Sequence, residues 1–288
     1  MVIERALEKL RQSAQRNGPA EKGVDPGKPV RARTVSGQAS PKPVFEQLAT
    51  SSAAAEANRI MLPDVSVGDD ARAAAAYRII RTRLIQKLRT NQWRSLAITS
   101  PGAGEGKSLT ALNLAMSIAR DASIDVFLLD LDLRHPSLCR YLGTSPSREI
   151  SRYLAGEGNP ADVLFSMSGI KNLSLSGSVY PSDQASELIA SPRIEELMTY
   201  IYSISSNPVI LIDLPPVLVT DEALLIAPRV DATLLVVGEG RTRRDSLARA
   251  KQVLSEYALA GVILNCSSET FGADSYYGYG ASYAEKKI

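Results

Sequence analysis

Three glycines, a lysine and a closing serine lie within Ser100–Ser108, read SPGAGEGKS. Phosphate oxygens need several donors at short range, and this spacing supplies them. Glycines let backbone N–H groups turn inward around an anion, and a helix N-terminus behind them adds its positive end. Lys107 would reach the β/γ-phosphates of a nucleotide, and the Ser108 hydroxyl would sit on Mg²⁺. Gly102, Ala103, Gly104, Glu105, Gly106, Lys107, Ser108 and Leu109 form the expected phosphate-binding set, with Pro101 standing where the common pattern has its first glycine. Two further sets of acids follow. Asp130, Asp132 and Arg134 close the run FLLDLDLR, and Asp213 closes PVILID, Pro208 to Asp213. An aliphatic strand ending in aspartate is the Walker B arrangement, in which the carboxylate holds Mg²⁺.

These residues need elements to hold them. SLAITS, Ser95 to Ser100, has strand character, and Leu109, Leu112, Leu114, Ala115, Ile118 and Ala119 recur at helical spacing after the loop. Strand, glycine loop and helix in that order make a P-loop. Val126 to Leu129 and Pro208 to Asp213 are continuous apolar runs, typical of strands buried on both faces. ATLLVV, Ala232 to Val237, and GVILN, Gly261 to Asn265, are two more. Leu173 to Leu175 is a further candidate. Helices are expected over Asp69–Thr90, Glu187–Ser203, from Asp221, and over Arg241–Tyr257. Strands alternating with helices give an α/β fold: a P-loop NTPase with a doubly wound, mostly parallel sheet and helices on both faces. Ligands of such sheets bind beyond the carboxyl ends of the strands, where the acids stand.

Composition narrows the class. The apolar fraction is 44%, enough for a sizeable core, and the net charge of +2 makes no case for nucleic acid. No apolar run approaches a membrane span, and the N-terminus has no signal-peptide core. Cys139 and Cys266 have no metal-ligand spacing, and the single His135 reads as a solvated loop residue. A cytoplasmic protein is expected. Residues 1–16 carry an apolar stripe on a short helix, and 17–60 are rich in Pro, Gly, Ser and Ala and read as a flexible linker. The catalytic domain is expected over 61–270. In the tail, 271–288, Tyr276, Tyr277, Tyr279 and Tyr283 crowd among Gly, Ala and Ser.

The chain resembles the bacterial tyrosine kinases (BY-kinases) of polysaccharide biosynthesis and export. The resemblance rests on the P-loop, FLLDLDLR (Phe127 to Arg134), ILIDLPP (Ile210 to Pro216), the stretch Val219 to Thr242, GVILN and the tyrosine tail. It covers about Ala71 to the C-terminus. The N-terminal helix and long linker look most like the exosortase (XrtA)-associated tyrosine autokinase subgroup. Arg78 and Arg81 match a family packing motif whose glutamate position is Ala75 here. The related partitioning and division-site ATPases carry a signature lysine early in the P-loop, and Gly102 stands near that place here, which argues against that branch. The resemblance implies an ATP- and Mg²⁺-dependent autokinase that phosphorylates its own tail tyrosines, in trans within a homo-oligomer. Ser108, Asp213, Asp130 and Asp132 would hold the metal. Lys107, Asp130 and Asp132 would be catalytic, either aspartate drawing the proton from the tyrosine. Arg134 would steady phosphate charge or a neighbouring subunit, and Asn265 would contact adenine. It also implies activation by an inner-membrane polysaccharide co-polymerase that recruits the kinase to the membrane. The alternative is a MinD/ParA-like ATPase switch that recruits partners by nucleotide state.

Overall fold

A computed structural model of the chain describes residues 43–61 and 69–267. The expected N-terminal helix and the tyrosine tail lie outside the described residues. In chain order the elements are β1 (Glu46–Leu48), α1 (Ser52–Ala57), α2 (Asp69–Asn91), β2 (Ser95–Thr99), α3 (Lys107–Ile118) and β3 (Asp125–Asp130). Then come α4 (Leu138–Leu142), α5 (Ile150–Leu154), β4 (Phe165–Met167), β5 (Ile170–Ser176), α6 (Ala185–Ala190) and α7 (Arg193–Ile204). The chain closes with β6 (Pro208–Asp213), α8 (Glu222–Ile226), β7 (Ala232–Gly238), α9 (Arg244–Val253) and β8 (Leu259–Asn265).

One sheet runs β1-β4-β5-β3-β6-β2-β7-β8. Every pairing is parallel except β4 with β5. Side chains of a strand alternate between faces, so each buried strand feeds two cores. Leu96, Ile98, Val126, Leu128 and Leu211 pack with Leu84 and Leu88 of α2 and Leu112 and Ala115 of α3. Ala97, Phe127, Leu129, Ile210 and Ile212 pack on the other face with Ile189 of α6, Leu197 and Ile201 of α7 and Ala250 of α9. Leucines and isoleucines this deeply buried each contribute roughly 1.5–3 kcal/mol of transfer free energy. That frame fixes where each strand ends, and hence where the acids stand. Arg81 is used inside this frame: its guanidinium donates to the Ser117 carbonyl at 3.0 Å, near the C-terminal end of α3.

Two expectations need correction. The stretch read as linker as far as residue 60 is ordered from Glu46 onward. β1 pairs with β4 along Glu46–Leu48, and α1 buries Ala55 in the core. The local reasons are legible in hindsight. Phe45 and Leu48 suit a strand edge, and the Ser51 hydroxyl accepts from Ala54 N–H at 3.2 Å as an N-cap. Averaging over a Pro/Gly/Ser-rich window hid both. The helix expected over Glu187–Ser203 is two helices, because the residue before a proline is pushed out of the α region. Ser191 sits at φ −60, ψ 146 before Pro192.

Candidate active site

Strands β2, β3, β6, β7 and β8 run in the same direction, so their carboxyl ends share one edge of the sheet. β2 leads into the glycine loop, and Lys107 opens α3. Thr99 Oγ1 donates to Pro215 O at 2.7 Å, and Val217 N to Ser100 O at 2.9 Å, so the loop after β6 is sewn to the end of β2. Asp130 and Asp213 are register partners on adjacent strands. Gly106 closes the loop at φ 85, where an L side chain is strained, and a Cβ there would collide with the Asn265 amide nitrogen. Gly106→Ala is expected to weaken Mg²⁺–ADP binding about tenfold or more, with an unchanged circular dichroism spectrum. Equal affinity in a calorimetric titration would show that the loop geometry does not matter.

Lys107 is the hub. Its Nζ lies 2.6 Å from Asp132 Oδ2 and 3.4 Å from Asp213 Oδ1, and it donates to Ser108 Oγ at 3.0 Å. All four side chains are buried or nearly so. Burial alone would lower the ammonium's pKa, but Asp213, Asp132 and Asp130 outweigh it and hold the group above its usual range. Asp130 is fully buried. Its Oδ2 accepts from the backbone N–H groups of Ser137 (2.9 Å) and Leu138 (3.0 Å), and its Oδ1 from that of Asp132 (3.2 Å). Burial and neighbouring Asp213 push the Asp130 carboxyl up to about 7, against the pull of those amides and of Lys107. Burial also raises Asp213, opposed by Lys107.

The residues suit Mg²⁺. Ser108, Asp132 and Asp213 offer hard oxygen donors, and Asp213 Oδ2 is buried with no hydrogen-bond partner among the described residues. An orphaned carboxylate oxygen in a low-dielectric site is costly and favours a cation. Among the described residues no group of His, Cys, Asp and Glu cages a metal by itself. Mg²⁺ does not need one, since it keeps waters and shares phosphate oxygens.

Other expected residues are placed differently. Arg134 is tied to Glu222, Nε to Oε1 at 2.7 Å, and to Ser186 Oγ at 3.3 Å, not to the Lys107 cluster. Asn265 comes to the loop, its Nδ2 donating to Glu105 O at 2.9 Å. The Glu105 carboxyl, raised by burial, turns back on the loop towards Thr242 and the Gly102 amide. Gly102, Ala103 and Gly104 form the open rim, and Leu109 follows Ser108 in the first turn of α3. Sequence reasoning missed Arg241, which reaches the loop, and the amides of Ser137 and Leu138. GEGRT directly follows a buried strand, and the rule that placed the aspartates would have flagged it too.

A buried lysine held by aspartates from two neighbouring strand ends, at the start of a glycine-loop helix, is a P-loop NTPase site. A family model, "ParA: NUBPL iron-transfer P-loop NTPase", matches residues 92–270. The chain is 30% identical over 207 residues to tyrosine-protein kinase YwqD of Bacillus subtilis, covering 70% of this chain and 84% of that one. The succinoglycan biosynthesis transport protein ExoP of Rhizobium meliloti is 29% identical over 230 residues, 75% of this chain but 29% of that protein. The kinase domain of Escherichia coli tyrosine kinase ETK superposes with a TM-score of 0.63 at 22% identity, over 78% of this chain and 90% of that one. The chain belongs to the bacterial tyrosine kinases, a branch of the ParA-like P-loop NTPases.

Proposed function

We propose that the protein is an ATP-dependent tyrosine autokinase whose acceptors are Tyr276, Tyr277, Tyr279 and Tyr283. Nucleotide binding rests on Lys107, held between Asp132 and Asp213 where a phosphate would be received, and the tyrosine acceptor is supported by the likeness to tyrosine-protein kinase YwqD. Phosphoryl transfer is mostly positioning and charge neutralisation. The loop N–H groups and Lys107 would bind the β/γ-phosphates, Lys107 leaving its carboxylate partners for phosphate oxygens. Ser108, Asp213 and Asp132 would hold Mg²⁺, which when bound neutralises phosphate charge. A phenol at pKa ~10 keeps its proton near neutrality, so attack needs a carboxylate acceptor. Asp132 suits that role. Its Oδ2 meets only Lys107 among its described contacts, whereas both Asp130 oxygens accept backbone N–H groups. Asp130 is then a positioning residue that shapes the loop carrying Asp132.

Transfer in trans within a homo-oligomer fits this reading. So does the regulation of polysaccharide export, supported by the likeness to ExoP. An inner-membrane chain-length protein would recruit and activate the kinase, and the chain would fall in the exosortase-associated subgroup. No helix among the described residues is long and apolar enough to cross a membrane. The ParA-like family match supports one other reading, a nucleotide-dependent switch. Labelled ATP separates the two. The full chain with Mg²⁺ is expected to acquire label on tyrosine, and a chain ending at Ser267 is expected to acquire none. ATP turnover with no labelled protein would overturn the kinase reading and favour the switch.

A further inference from the structure

The turn between β7 and α9 has no part in the steps above, yet it lies on the phosphate loop. Arg241 Nη1 donates to Gly104 O at 2.8 Å, and Asn265 Nδ2 to the next carbonyl, Glu105 O, at 2.9 Å. A loop that turns its N–H groups towards an anion turns carbonyls outward, and those need donors of their own. Here two consecutive carbonyls are capped by side chains from the ends of β7 and β8. The turn itself is fastened. Gly238 N–H donates to Thr242 Oγ1 at 2.9 Å, and Glu239 N–H to Asn265 O at 2.9 Å. The Arg241 stem lies along Gly238, where an added Cβ would stand 3.3 Å from Arg241 Cβ and 3.4 Å from its Cδ. Close approach of that stem is what the missing side chain permits.

We propose that Arg241 is a positioning residue for nucleotide binding. It holds the phosphate loop in its anion-receiving form before the ligand arrives and places a guanidinium charge at the loop's rim. This rests on the P-loop binding a nucleotide, and not on tyrosine being the acceptor. The test uses the full chain, with Mg²⁺–ADP as the probe. Arg241→Ala is expected to raise the dissociation constant about fivefold, and Arg241→Lys to fall between it and the wild type. Without nucleotide, hydrogen exchange of amides 102–106 is expected to quicken in Arg241→Ala while amides of β3 and β6 keep their rates. Unchanged affinity with unchanged exchange would overturn the proposal. So would faster exchange throughout the sheet, which would show a general loss of stability. If the full chain binds Mg²⁺–ADP but never labels tyrosine, the kinase reading fails and this one is still decided by the titration.

Discussion

Lys107→Met is expected to lower tyrosine labelling by about a thousandfold or more, because an electrostatic clamp on the transferring phosphoryl group is worth that much. The structure adds a second effect. Lys107 is the cation that Asp132 and Asp213 share, both buried. Removing one partner of a buried ion pair costs about 3–5 kcal/mol, because the remaining charge is uncompensated. The variant can relieve this by taking up protons. Asp130 already sits at about 7 in the folded chain, and Asp213 is raised as well. Without Lys107 both would rise further. Between an unfolded value near 4 and the raised folded value, the folded chain binds protons that the unfolded chain does not. Stability contributed this way is fully present below pH ~4 and is lost as pH rises through the folded pKa. The stability deficit of Lys107→Met relative to wild type is therefore expected to be largest near pH 8 and smaller near pH 5.5. Urea unfolding at the two pH values measures it. A deficit independent of pH would mean that the carboxylates are not the source.

The second large effect separates the two aspartates. Asp132→Asn is expected to lower kcat for tyrosine phosphorylation about 10²–10⁴-fold and, because Asp132 would also hold Mg²⁺, to raise the KM for ATP as well. An amide keeps the shape but accepts no proton from a phenol. Asp130→Asn should behave otherwise. Three backbone N–H groups converge on its carboxylate. An amide offers a single acceptor oxygen, so at least one buried donor loses its partner, at about 1–3 kcal/mol. The expected signature is a lower melting temperature and a loop that no longer holds Asp132. Thermal melts and steady-state kinetics on both variants decide the matter. If Asp130→Asn melts like wild type yet is inactive, and Asp132→Asn keeps its kcat, the roles are reversed.

Much of this was legible in the sequence. Aliphatic runs ending in Asp130 and Asp213 told of strands buried on both faces, and a parallel sheet puts their ends on one edge. SPGAGEGKS placed Lys107 and Ser108 on that edge with them. The partners of Arg134 were hidden because Glu222 and Ser186 are distant in sequence and meet it only through packing. Arg241 stands just past a buried strand, where the rule applied to the aspartates reaches it, but its target, a backbone carbonyl, has no residue type to read. β1 was hidden because three residues cannot show a period, and pairing with β4 is what makes them a strand. The different surroundings of Asp130 and Asp132 could not be read either. Two acids one residue apart look alike until the amides of Ser137 and Leu138 turn back on one of them.

The order of the strands has a consequence for how such a chain could be held. β1 and β8 are the two outer strands of an eight-stranded sheet. At ~4.8 Å per strand, they stand roughly 34 Å apart. The described chain begins beside β1, at Pro43, and its last strand, β8, ends at Asn265, whose side chain reaches the glycine loop. The glycine loop leaves β2, two strands in from β8 and five from β1, so a pull applied at β1 would act on the side of the sheet away from the loop.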